Sequence, residues 1–287
     1  MLLKPLVASL ALVAASAGLV DASKILVPLY SWSKDCWPEL QSAATANPTA
    51  SFIGIINPNS GPTVDTSDPS LYCVPVLRKK IPNLTLAGYV RTNYSERAPS
   101  EVLADIRMYK SWSTLSTTSP TDIKGTPKLD GIFFDEVSSF TESTNGINKY
   151  ILYSQQARQA LGSKSMVVFN PGLVPNARLF SYADLVVTYE DRFSAYSLSK
   201  LPKAAYMQQK SAIMIHTMPN STATLNTTLR GLGNKFGAVY VTSTDIDVRD
   251  VYQVFGSNWS QFVKLFTALQ GKTTTATGKV RRLLSLE

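Results

Sequence analysis

The stretch Leu129-Asp130-Gly131-Ile132-Phe133-Phe134-Asp135-Glu136 decides the fold of this chain. Its apolar run reads as a buried strand, and that run stops abruptly in two adjacent acids. Ionisable groups buried side by side are unfavourable unless they are hydrogen-bonded, paired or performing a task, and crowding pushes one pKa towards neutrality. Two readings of the eight residues stay open: paired carboxylates for acid/base chemistry, or an exposed turn whose Asp caps the next helix.

Working outward, seven more runs rich in Val, Ile, Phe and Tyr recur along the chain. With the first they predict strands at 24–30, 52–57, 85–91, 131–135, 166–170, 185–190, 212–216 and 238–242. The spacers carry helical periodicity at 38–45, 71–80, 99–112, 148–161, 177–182, 195–209, 222–236 and 260–270. Glu101 falls in the first turn of the third spacer, and Gly162 stands just past the fourth as a C-cap. Strict alternation implies parallel strands joined by right-handed crossovers, and eight such units at this length predict an α/β fold, a single closed (β/α)8 TIM-type barrel. An open doubly wound sheet is the alternative, but no Gly-rich turn follows the first strand to cradle a dinucleotide phosphate.

The ends of the chain read differently. Residues 1–22 have one lysine, Lys4, then an apolar core and small residues at Ala15-Ser16-Ala17 and Ala22, the pattern of a secretory signal peptide. No later segment approaches the roughly 20 apolar residues of a membrane span. The barrel domain is therefore expected over 23–271. Residues 272–287 form a Thr-rich, then basic-apolar, tail expected to be disordered, with a membrane-seeking basic helix as the sharper alternative.

Export has chemical consequences. Cys36 and Cys73 are the two cysteines, so an oxidising compartment predicts one disulfide between them, against two buried free thiols. Glycosylation sequons begin at Asn83, Asn93, Asn220, Asn226 and Asn258. The formal charge of +8 survives loss of the leader, since Lys4 and Asp21 leave together. Basic residues are scattered apart from Arg78-Lys79-Lys80 and Arg281-Arg282, so a solvated basic surface is expected and no nucleic acid partner. The single histidine, His216, argues against a His-rich zinc site and leaves one base for any Ser-His-Asp triad. Neither metal nor cofactor is expected, and the protein is expected to be a monomer.

In a (β/α)8 barrel the C-terminal strand ends converge on one face. They supply Tyr30 and Trp32, Asn57, Arg91 and Tyr94, Asp135 and Glu136, Asn170, Tyr189, Glu190 and Asp191, His216, and finally Thr242, Ser243 and Asp245. Aromatic faces stack on sugar rings, amides and hydroxyls read sugar hydroxyls, and acids serve an oxocarbenium-like transition state. Asp135, Glu136 and Glu190 end long apolar strands and are the candidate catalytic acids. Tyr30, Trp32, Asn57, Arg91, Asn170, Tyr189 and His216 are the candidate substrate-binding residues. Each has a plainer reading: mouth packing for Tyr30 and Trp32, pairing with an acid for Arg91, a satisfied strand residue for His216, and turn formation for Asn57-Pro58 and Asn170-Pro171. Strand alternation also forbids Asp135 and Glu136 from both facing the axis unless the strand ends between them. Because both faces of a barrel strand are buried, apolarity does not say which acid points inward.

Several of these segments together resemble a known family. Ile25-Leu26-Val27-Pro28-Leu29-Tyr30, Phe52-Ile53-Gly54-Ile55-Ile56-Asn57-Pro58-Asn59-Ser60-Gly61-Pro62, Gly88-Tyr89-Val90-Arg91-Thr92, Asp130 to Glu136 and Asn170-Pro171-Gly172, in that order, are similar to the spherulation-specific spherulin-4 family of microbial cell-surface proteins. The resemblance implies a (β/α)8 barrel and proximity to glycoside hydrolase family 135, whose activity is endo-hydrolysis of α-1,4-linked polysaccharide rich in N-acetylgalactosamine. It also implies functional acids at Asp135, Glu136 and, by strand placement beside Asp191, Glu190. A secreted or wall-associated endo-glycosidase is the reading that follows, and a non-catalytic glycan-binding surface protein on the same barrel is the alternative. A metal-dependent deacetylase is disfavoured by the lone histidine. The positive charge further suggests that a fully deacetylated, cationic galactosamine chain would be repelled, which favours acetylated stretches.

Overall fold

The computed structural model describes residues 23–140 and 146–270. Eight parallel strands close into a barrel: β1 (Lys24–Leu29), β2 (Phe52–Ile56), β3 (Leu84–Arg91), β4 (Gly131–Asp135), β5 (Met166–Phe169), β6 (Leu185–Arg192), β7 (Ser211–His216) and β8 (Ala238–Val241). Each strand pairs with its neighbours in sequence, and β8 returns to β1 with Ala238 opposite Lys24 and Val239 opposite Ile25. Closure leaves no edge strand to protect. It also excludes the open doubly wound sheet. The strands read as near-continuous apolar runs because one face fills the barrel and the other packs under helices.

Helices α1 (Pro38–Ala46), α2 (Pro69–Lys80), α3 (Pro99–Ser111) and α4 (Ile147–Leu161) follow the first four strands. After β6 comes the short α5 (Ala205–Gln209), after β7 comes α6 (Thr222–Leu232), and α7 spans 259–270. Gly162 caps α4 in an extended, positive-φ conformation, its N–H bonded to the Arg158 carbonyl. Arg78-Lys79-Lys80 is the last turn of α2, where cations complement the helix dipole.

Two expected helices are corrected. The 177–182 spacer is a 3-10 segment, Ala177–Ser181, opened by the Asn176 side chain accepting the Arg178 N–H. The 195–209 spacer is not one helix but two 3-10 turns, Phe193–Ala195 and Leu198–Lys200, before α5. Ser197 caps the second turn through its hydroxyl, and Pro202 forces the preceding Leu201 into an extended conformation that no helix continues through.

Cys36 and Cys73 form the disulfide, tying the loop after β1 to the middle of α2. The free-thiol alternative is excluded. Of the sequon asparagines, Asn83 and Asn220 are exposed and Asn93 and Asn226 half-buried. Asn258 is 5% exposed, with its amide oxygen accepting the Ser243 N–H at 2.8 Å. The expected leader (1–22) and tail (272–287) lie outside the described residues. Among the described residues, no helix is long and apolar enough to cross a membrane.

The disulfide closes a loop with a sequence separation of 37, and cross-links of that span constrain the unfolded chain. Replacing both cysteines with serine is expected to lower unfolding free energy by about 2–4 kcal/mol, read from urea midpoints. Reduced wild type should match the double variant, and an unshifted midpoint would show that the bond contributes nothing.

Candidate active site

Packing outside the barrel decides which acid points inward. Gly88 of β3 lies so close to α3 that a Cβ there would sit 2.6 Å from Tyr109 Cζ, so Gly88 faces outward and Tyr89 inward. Phe133 stands opposite Tyr89 in register and stacks on it at 6.2 Å, while Phe134 stacks on Tyr153 of α4 at 5.8 Å. Asp135, two residues beyond Phe133, is therefore the inward acid.

Glu136 would follow Phe134 outward, but β4 ends before it and Glu136 adopts φ 52°. A left-handed residue with a side chain costs about 1–2 kcal/mol. Here the turn is held by the Thr92 hydroxyl, which lies 2.8 Å from the carbonyl oxygens of both Asp135 and Glu136, and by the Tyr94 N–H, which donates to Glu136 O at 2.6 Å. Thr92 is itself braced 2.9 Å from the Tyr150 hydroxyl of α4. The one Thr92 hydroxyl proton is shared between the two carbonyls, and together with the Tyr94 bond, at about 1 kcal/mol each, it offsets the strain. Both acids consequently reach the mouth of the barrel.

The third acid arrives through a bulge. The β6–β7 register slips between Val187 and Tyr189, leaving Thr188 as the extra residue and re-aiming the side chains after it. Glu190 then meets Asp135 across one amide. Asn170 Nδ2 donates to Asp135 Oδ1 at 2.7 Å and to Glu190 Oε2 at 2.6 Å, while Asn170 Oδ1 accepts the Gly172 N–H at 3.0 Å. That backbone donor fixes the amide with its NH2 towards the acids. The two carboxylate oxygens lie no farther apart than these two bonds laid end to end. Tyr89 donates its hydroxyl to Asp135 Oδ2 at 2.7 Å, and Tyr252 donates to Glu190 Oε1.

Burial pushes the Asp135 carboxyl above its ordinary range, against the bonds from Tyr89 and Asn170 that favour its ionised form. Glu190 is pushed up by burial first and by the charge of Asp135 second. Glu136 sits in a wetter place, its Oε2 accepting from Arg91 Nε at 2.8 Å. The three acids open onto a cleft of about 740 Å³ that is also lined by Tyr94, Asn170, Leu173, Tyr189, Asp191, Lys200, His216 and Ile246.

Of the candidate binding residues, Asn170, Tyr189 and His216 line this cleft, whereas Tyr30, Trp32, Asn57 and Arg91 do not. Tyr30 is packed behind the acids, edge-on to Tyr89 at 5.5 Å and to Tyr252 at 5.7 Å. Trp32 is 62% exposed on the loop beyond it. Asn57 is a turn former whose Oδ1 accepts the Gly61 N–H at 3.2 Å, and Arg91 acts through Glu136. His216 is buried, its imidazole pushed down by desolvation, and its one hydrogen-bond partner among the described residues is Thr217, so no Ser-His-Asp triad is assembled. Among the described residues no group of three or more His, Cys, Asp or Glu side chains is arranged to hold a metal ion.

Charge at the cleft corrects one expectation. Asp135, Glu136, Glu190 and Asp191 face a single Lys200 there, so the basic surface lies elsewhere and gives no reason to exclude a cationic chain. Sequence reasoning also passed over Tyr89, Tyr252, Leu173 and Ile246. Tyr89 carried a signal in its Gly88 neighbour. Tyr252 lies in a loop with no strand periodicity and carried none.

The raised Glu190 carboxyl has a stability consequence. Its folded-state pKa exceeds the unfolded value of about 4.3, so the charged form opposes folding above the folded pKa, and this penalty disappears as pH falls through that value towards the unfolded one. The Glu190→Gln protein is expected to melt above wild type in alkaline buffer, with the gap closing as pH is lowered towards about 4.3. Thermal melts across pH check this, and a gap that widens on acidification would contradict it.

Comparison with known proteins agrees with the architecture. Spherulin-4 of Physarum polycephalum is 30% identical over 230 residues, which span 76% of this chain and 63% of that protein, less than two thirds of its length. Aspergillus clavatus Sph3, crystallised in complex with GalNAc, matches with a TM-score of 0.74 at 27% identity over 86% of this chain and 98% of that one. A chitinase from Bacteroides thetaiotaomicron shares the fold, with a TM-score of 0.52 at 9% identity over 87% of this chain and 96% of its own. Residues 24–266, from the first barrel strand into the last helix, match the profile of spherulation-specific family 4, and the chain belongs to that family.

Proposed function

We propose that this protein is an exported endo-glycoside hydrolase acting on an α-1,4-linked polysaccharide that contains N-acetylgalactosamine. The observation that carries the reading is the grouping of Asp135, Glu136 and Glu190 at one cleft, with a shared amide between two of them. The likeness to Sph3, a protein solved with GalNAc bound, supports the sugar class. The family's α-1,4 linkage comes from the resemblance of the acid-bearing segments.

In this reading the buried Asp135–Glu190 pair, biased towards holding a proton, supplies the acid. It protonates the glycosidic oxygen, the C1–O bond breaks, and its electron pair leaves with that oxygen. The ion-paired carboxylate of Glu136 stands opposite the positive charge that develops at the ring. Tyr94, 61% exposed at the cleft, offers an aromatic face to a sugar, while Lys200 and His216 offer polar contacts on the far wall. Water then forms the new C1–O bond and gives a proton back to the Asp135–Glu190 pair, which restores the acid. Export is supported by the disulfide. Glycans are expected at exposed Asn83 and Asn220, and not at Asn258, whose amide nitrogen is buried.

Reducing-end release from a GalNAc-rich polysaccharide, beside chitin and β-glucan and in chelator, tests the activity. Wild type is expected to cleave the galactosamine polymer alone, and Glu190→Ala to lose about 10²–10⁴ in rate. No release from any glycan by folded protein would favour the non-catalytic binding reading. Glycopeptide mapping of the exported protein checks the sequons, and a glycan on Asn258 would contradict the assignment.

A further inference from the structure

One partner of Glu190 comes from outside the strands. Tyr252 lies between β8 and α7, and its hydroxyl donates to Glu190 Oε1, the oxygen opposite the one held by Asn170. The ring is seated by Tyr30, edge-on at 5.7 Å, and by Tyr240, tilted at 6.1 Å. The backbone beneath it is mounted firmly. The Tyr252 N–H donates to Asp250 Oδ1 at 2.9 Å, and Gly256 packs so closely on the end of β8 that a Cβ there would lie 2.4 Å from Thr242 Oγ1. Asn258 ties the far end of the loop back by accepting the Ser243 N–H. Tyr89 holds Asp135 in the same manner on the other side of Asn170, with Tyr30 packed against both tyrosines.

We infer that Tyr252 is a positioning residue that fixes the orientation of Glu190, which makes the loop after β8 part of the apparatus that acts on substrate. The kinetic part rests on the glycosidase reading above. A phenol that donates to a carboxylate favours its ionised form, so Tyr252 restrains the proton affinity that burial raises. Other groups facing Glu190 are Asp135 from β4, Tyr30 after β1, Tyr94 after β3 and Asp250 on the same loop as Tyr252. The two acids among them add negative charge, and none of these four donates a hydrogen bond to Glu190. Loss of the Tyr252 hydroxyl therefore leaves Asn170 as its one side-chain donor among the described residues.

Tyr252→Phe keeps the ring and removes the hydroxyl. On the GalNAc-rich polymer, kcat is expected to fall about ten- to a hundredfold with KM within about twofold, and the pH limb governed by Glu190 to move to higher pH. An unchanged pH profile, or a loss confined to KM, would overturn the inference. A second arm needs no substrate. In protein labelled with ¹³C at glutamate carboxyls, the resonance missing from Glu190→Gln reports Glu190, and its titration midpoint should rise in Tyr252→Phe. A midpoint that does not move would sink the assignment even if wild type cleaves glycan. A midpoint that rises in a protein cleaving no glycan would uphold the hold on Glu190 and reject the hydrolase reading alone.

Discussion

Two carboxylates buried within reach of one another repel, and the site exists because a single amide stands between them. Asn170 is the residue type that fits, since an NH2 carries two protons at a wide angle and can serve both acids at once. Much of the local chain is arranged around it. β5 stops at Phe169, so Asn170 emerges between β4 and β6. Its own N–H is tied to the Phe134 carbonyl at 2.8 Å, and its carbonyl to the Val137 N–H at 2.9 Å. Gly172 turns at φ 70°, which points its N–H at the Asn170 amide oxygen and lets its carbonyl accept the Glu190 N–H at 2.9 Å. Sequential parallel pairing, which makes β4, β5 and β6 neighbours, supplies the adjacency this bridge requires.

The site is thereby divided into two electrostatic surroundings. Asp135 and Glu190 lie among tyrosines, two of which, Tyr89 and Tyr252, donate their hydroxyls to the acids, where the low local dielectric makes each hydrogen bond stronger. Glu136 lies at the wet edge, paired with a half-exposed Arg91. Acids in unlike surroundings can hold different protonation states at one pH. The left-handed turn at Glu136 produces this division, because an extended residue there would have sent the side chain into the helix layer beside Tyr153.

The fold was legible because a barrel strand is apolar on both faces and the alternation with helical spacers leaves few other topologies. All eight strands fall where those runs predict. The spacer at 195–209 was not legible, since its apolar spacing is helical while Ser197 and Pro202 break it locally. The three acids were legible as strand-terminal residues, but not their geometry. Parity between Asp135 and Glu136 was set by Tyr109, 21 residues after Gly88 in the chain, and parity in β6 was shifted by a bulge at Thr188. Neither leaves a mark on local periodicity. Tyr252 was invisible for a related reason: its partner is 62 residues away, in a loop whose conformation depends on Gly256 and Asn258.

The positions of the acids and their tyrosines also say which parts of the molecule are free to change. The groups that hold the three carboxylates come from β3 to β6 and from the loop after β8. The loops after β1 and β2, beyond Tyr30, contribute none of them, and the first of these is anchored independently by Cys36–Cys73. Beyond Tyr30, which packs on Tyr252, a covalently fastened loop carrying an exposed Trp32 can exchange its sequence without removing a hydrogen bond from the acids. The loop after β1 is thus a stretch of the rim whose sequence can change while Asp135, Glu136 and Glu190 keep every hydrogen-bond partner described above.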